Sequence, residues 1–155
     1  MRVLNDLIVD FERKALSKDD REFKKTWIES ETSILNTRIE IELSKLVNER
    51  LDDLLYSIGR QDVKHIIQSH LIYPTKTKKL SGGVVMPVKG NVVTKGYFEI
   101  GNEKVGFEIE FGFSLDDYEY PQYIKVDGVL FPFSEAGFKE FLSKFDKEEE
   151  VTGEK

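Results

Sequence analysis

At 155 residues, with 39% apolar and 34% charged side chains, the chain is the size of one domain and could bury roughly two-thirds of its unfolded surface. Eleven Phe, six Tyr and one Trp give too much apolar area for a disordered chain, and the lack of cysteine excludes disulfides, thiolate catalysis and Cys-ligated metal centres. The net charge of −6 is unevenly spread: Val63 to Phe98 holds six Lys and no Asp or Glu, so that stretch is +6 and the rest −12, a split that suggests a surface for an anion.

Charge interrupts the first residues, Met1-Arg2-Val3-Leu4-Asn5-Asp6, so no secretory signal is expected, and no run of about 18 apolar residues occurs anywhere. The expectation is a soluble, cytoplasmic protein with no membrane partner. Leu4, Leu7, Ile8, Phe11 and Ala15 repeat at the 3–4 spacing of one helical face. Ser17-Lys18-Asp19-Asp20 resembles a capping box that starts a second helix bearing Phe23, Trp27 and Ile28. Poor helix formers at Ser30-Glu31-Thr32-Ser33 predict a break or bend. From Ile34 to Ile58 the apolar stripe is wide, because Ile41, Leu51 and Leu55 fall off its main line, and Gly59 is a natural stop. Asp62 to Leu71 is expected to form one more short helix before Pro74.

The second half changes to a period of two. Val105, Phe107, Ile109, Phe111 and Phe113 alternate with polar residues or glycine, and Gly101-Asn102 ahead of them predicts a hairpin turn. That register sets Glu99 opposite Lys104, Phe98 opposite Val105, Gly96 opposite Phe107 and Lys95 opposite Glu108. Each such pair contributes a few tenths to about 1 kcal/mol, and a slip of one residue would spoil them all. Asp127-Gly128 predicts a second hairpin between Ile124-Lys125-Val126 and Val129-Leu130-Phe131. Val84 to Val88 reads as a further strand that Pro87 confines to an edge. Ser134 caps a last helix with Phe138, Phe141, Leu142 and Phe145 on one face.

The fold class is therefore α+β: an N-terminal helical half (1–72), a small antiparallel β-meander (83–133) and a C-terminal helix (134–145), in a single domain over 1–145 with an acidic flexible tail at 146–155.

Two segments carry candidate site residues. The basic joint around Pro74 to Gly83 offers Lys76, Lys78 and Lys79, joined by Lys89 and by Tyr73 as a stacking face, as a nucleic-acid or anion-binding set. It has no arginine and does not match a P-loop. The bland alternative is a solvated loop. The acidic–aromatic segment Asp116, Asp117, Tyr118, Glu119 and Tyr120 suits a protein contact. Its carboxylates could reach a divalent cation but do not follow an EF-hand, and no metal is expected. His65 and His70, five apart, would point away from each other on a helix and serve no nucleophile. Glu108 and Glu110 share the polar face of a strand, where cross-strand pairing accounts for Glu108 without catalysis.

No catalytic motif and no cofactor is implied. The composition would suit a viral or mobile-element accessory protein, although no motif specifies one. The first functional expectation is a non-enzymatic interaction or assembly module, homo-oligomeric through the wide helix and binding another protein. The alternative is a nucleic-acid-binding accessory protein using the lysine-rich segment 64–95.

Overall fold

The computed structural model describes residues 3–16, 21–80, 83, 85–114 and 117–153, with side chains described for 5–15, 31, 35–80, 83, 85–114 and 117–145. Two helices, α1 (Val3–Leu16) and α2 (Arg21–Ser57), precede five strands, and a third helix, α3 (Glu135–Gly153), follows them. The strands are β1 (Lys64–Lys79), β2 (Val85–Ile100), β3 (Glu103–Ser114), β4 (Tyr123–Val126) and β5 (Val129–Pro132). They form one antiparallel sheet in the order β1-β2-β3-β4-β5. The fold is thus α+β with a β-meander, and no described helix is long and apolar enough to cross a membrane.

Both hairpins form as the sequence predicts. Glu99, Phe98, Gly96 and Lys95 face Lys104, Val105, Phe107 and Glu108 across the Gly101-Asn102 turn. Asp127 (φ 50°) and Gly128 (φ 79°) both take left-handed backbone, the conformation that a two-residue turn matched to strand twist requires. Val126 and Val129 close that hairpin. Among the described residues, Pro87 lies where β2 pairs with β1 and not yet with β3, because the β2–β3 ladder begins at Lys89↔Ser114. A missing amide proton is tolerated there.

The helical half is shorter than the sequence predicts, and the sheet is larger. Asp62 to Leu71 is not helix; its residues from Lys64 onward belong to β1, which continues through the expected joint to Lys79 and pairs with β2 along its length. The cause of the misreading is local. The register shifts between Ile67 and Ser69, so Gln68 is a bulge that resets the phase of the alternation. The side facing the helices is therefore His65, Ile67, His70 and Ile72, and this 2-3-2 spacing imitates a helical one. Pro74 sits in this edge strand beside a second register shift, between Pro74 and Lys76, where its lack of a donor is cheap.

Helix α2 runs unbroken through Ser30–Ser33, where a break was expected. The capping box at Ser17–Asp20 and the side chains of Phe23, Trp27 and Ile28 lie outside the described residues. The C-terminal helix starts as expected: the Gly137 amide donates to Ser134 Oγ at 3.2 Å. It runs past Phe145 to Gly153.

One face of the sheet carries the core. Val105, Phe107, Ile109, Phe111 and Phe113 of β3 are buried with Leu43, Leu46, Leu51 and Leu55 of α2 and with Phe138, Phe141 and Leu142 of α3. Phe98 is fully buried and stacks on Phe107 and Phe141, with centroids 4.7 and 5.4 Å apart. Leu51 and Leu55, expected to widen an uncovered helix surface, are buried by the chain's own sheet, whereas Ile41 stays exposed. Helix α1 packs on the early part of α2 through Ile8, Phe11 and Ala15.

Candidate functional site

The other face of the sheet has no layer over it among the described residues. Strand alternation sends Ser69, Leu71 and Tyr73 of β1 to this face, with Asn91, Val93 and Lys95 of β2, Glu108, Glu110 and Gly112 of β3, Tyr123 and Lys125 of β4, and Leu130 of β5. This face is hollowed across its strands. Its hollow holds about 760 Å³ and is walled by Tyr73 on one side and by Tyr120, Tyr123 and Leu130 on the other. Tyr73 and Tyr123 are 54% and 53% exposed, so these walls are open to a ligand.

The floor is read from the register. Lys95, Glu108 and Lys125 stand side by side on β2, β3 and β4, and Lys95 Nζ is 3.5 Å from Glu108 Oε1. The expected Lys95–Glu108 pairing is therefore present, and Glu108 is flanked by cations on both sides. Glu110, two residues along β3, faces Val93 instead. Gly112 comes next. A Cβ there would lie 2.5 Å from Glu119 Oε2, so only glycine leaves room for the Glu119 carboxylate to lie over the strand. The Glu119 amide donates to the Gly112 carbonyl at 2.8 Å and holds the segment in place. Among the described residues these carboxylates form no group of three that could hold a metal ion.

The structure draws members of both candidate sets into this groove. Tyr73 comes from the basic set, and Glu119 and Tyr120 come from the acidic–aromatic set. Tyr120 is fixed from behind: its ring lies edge-on to Phe133 at 5.4 Å, and the Arg50 guanidinium of α2 sits 4.9 Å from its centroid. Its phenol pKa is raised, chiefly by partial burial, with Arg50 opposing the shift. Tyr118 turns the other way. It is buried against Phe111, and burial pushes its phenol up to about 12. Asp117 is exposed and caps the turn, its carboxylate accepting from the Tyr118 amide at 2.8 Å. Asp116 lies outside the described residues.

The lysines divide into two groups. Lys64 and Lys95 stand opposite Glu99 and Glu108. Lys76 and Lys89 are direct cross-strand neighbours, and Lys78 and Lys79 continue to the end of β1, all exposed. Four of the five basic-set residues are therefore neighbours at one end of the β1–β2 ribbon, but not on one face: Lys78 stands opposite the buried Met86 and Lys79 opposite the exposed Val85.

Both histidines face α2. His65 Nε2 is 2.6 Å from Asp52 Oδ1. His70 Nε2 is 2.8 Å from Ser44 Oγ, and its Nδ1 is 2.8 Å from Thr94 Oγ1. Thr94 is fully buried, so this chain of three polar groups satisfies a hydroxyl inside the core and ties α2 to the sheet. Desolvation lowers the His70 pKa, with Glu40 opposing. The arrangement reads as a structural clip. Sequence reasoning missed the groove's Asn91, Gln122, Tyr123, Lys125 and Leu130. The exposed phase of the β3 alternation, Glu108 and Glu110, was the signal that marked its floor.

Comparison with known protein families, with curated proteins and with solved structures returns no match. The functional reading therefore stands on the geometry of this face.

Proposed function

We propose that the chain is a non-enzymatic protein-interaction module that binds its partner on the open, concave face of the sheet. The observation that carries this reading is a structured hollow of about 760 Å³ whose aromatic walls are left uncovered by the described residues. Tyrosine supplies large contact area at small entropic cost, which makes it a frequent anchor of interfaces. A photo-crosslinking residue in place of Tyr123, in cells that make the protein, should capture one discrete partner. The same residue in place of Glu40, on the exposed side of α2, should not. Equal capture from both positions, or none, removes the reading.

Self-association belongs to the same proposal but changes place. Among the described residues the apolar stripe of α2 is covered from Leu35 to Leu55, so assembly would use the outer edge of β1.

A second reading, nucleic-acid binding, draws on the Lys76–Lys89 adjacency. Like charges directly opposite each other destabilise a sheet, and a phosphate would relieve them. Binding should fall with salt at a log–log slope of roughly −0.7 to −0.9 per phosphate neutralised. Replacing Lys76, Lys78 and Lys79 with Gln should flatten that slope by about two to three units. No binding at low salt would dismiss this reading.

A further inference from the structure

The register places Leu71 beside Val93, Val93 beside Glu110, and Tyr123 beside Pro132. Continuing the β3–β4 ladder one residue beyond Ile109↔Ile124 puts Glu110 beside Tyr123. One line across the whole open face is thus apolar or aromatic except at its midpoint, where there is a carboxylate. Leu71 is 47% exposed and Tyr123 53%, so the band is open at both ends. The neighbouring line is different, since Glu108 there has a lysine on each side. Among the described residues the Glu110 carboxylate has no hydrogen-bond or ion-pair partner.

In the free protein water solvates Glu110, and its isolation costs nothing. An occupant that covers Leu71, Val93 and Tyr123 must also strip water from the carboxylate between them. A buried carboxylate left unpaired is strongly unfavourable, so the apolar contact is realised best by an occupant that brings a cation to that point. We infer that the open face docks an extended segment of a partner protein that sets a lysine or arginine against Glu110 between apolar side chains lying over Val93 and Tyr123. This inference rests on the interaction reading above and specifies the partner's chemistry. Glu119, held over Gly112 on the next line, adds negative potential to the same floor, and the tyrosine rings offer faces that attract a cation.

Two other occupants fit poorly. A second copy would oppose one hollow to another and leave a void between them. A nucleic acid would bring phosphates against Glu110 and Glu119, so its charge has the wrong sign.

The probe is a set of four pentapeptides, acetyl-Leu-Thr-X-Thr-Leu-amide with X as Lys, Arg, Gln or Glu, titrated into the full chain while amide resonances are followed by NMR. The Lys and Arg peptides should shift Glu110, Gly112 and Tyr123 and bind at least tenfold more tightly than the Gln peptide, with the Glu peptide weakest. Glu110→Gln should abolish that ranking, whereas Tyr123→Ala should weaken all four peptides and keep it. Equal binding of Lys and Gln peptides to the unaltered chain, a ranking that survives Glu110→Gln, or no binding would overturn the inference. Spermine shifting these amides when no peptide does would reassign the face to a free polyamine and overturn it too. If crosslinking from Tyr123 captures a partner while the peptides fail to discriminate, only the cation assignment falls. If nothing is captured, the interaction reading falls with it.

Discussion

His70 shares its two ring nitrogens with hydroxyls from different elements, Ser44 on α2 and Thr94 on β2. A neutral imidazole can donate from one nitrogen and accept at the other, whereas an imidazolium must donate from both and be solvated as a charge. Burial accordingly lowers its pKa from the ordinary value of 6.5. The unfolded chain then binds the proton more readily than the folded one. The contribution to stability is fully present above pH 6.5 and is lost as pH falls from there through the lower folded pKa. Urea unfolding at pH 7.5 and pH 5.0 should show a drop in stability that His70→Asn reduces. An equal drop in the variant would place the sensitivity elsewhere. The sequence could not disclose this clip, because the bulge at Gln68 makes His65 and His70 share a face that simple alternation would separate.

Among the elements, legibility followed the regularity of the alternation. The β2–β3 hairpin was readable residue by residue, since Val105 to Phe113 keeps period two without interruption and its charged pairs agree with its apolar ones. Strand β1 was not, because three register shifts break the period and Pro74 looks like a terminator. Once β1 is an edge strand, its lysines have a second meaning. An unpaired 16-residue edge is a template for aggregation, and lysine, proline and bulges are the usual guards. Replacing Lys76, Lys78 and Lys79 with Thr should leave the far-ultraviolet circular dichroism unchanged and increase light scattering at neutral pH. An unchanged solubility limit would deny the lysines this role. The α3–sheet contact was legible from Phe138, Phe141 and Leu142, and its depth is measurable: Phe98→Ala should cost about 3–5 kcal/mol in urea unfolding. A loss under about 1 kcal/mol would mean that the site collapses without a cavity.

For the whole molecule, the sequence conveyed the α+β class and the segregation of charge, but not the groove. The groove exists only because all five strands and the segment around Glu119 converge, and no local pattern encodes that convergence. Tyr73 and Tyr120 could each be singled out in the sequence, yet their shared hollow depends on register across four strands. Assembly is likewise decided globally. The middle of the β1 edge, from Ser69 to Tyr73, lies between the first two of the three register shifts and carries no lysine. Pairing there would be short and self-limiting. Sedimentation at micromolar concentration should give a mass above 18.0 kDa that Leu71→Lys returns to the monomer value. A monomeric parent chain would remove self-association from the function.

Every strand in the order β1-β2-β3-β4-β5 neighbours its sequential successor. Loop closure for each pairing is therefore short, and the sheet can zip along the chain as it leaves the ribosome, without waiting for distant partners. Its apolar side cannot be sealed so early, because Phe138 and Phe141 meet Phe98 only after the last strand has emerged. A nascent chain stalled before Glu135 would hold a formed meander that α2 covers in part but whose greasy flank around Phe98 is still open, and it is during that interval that a chaperone would find its target.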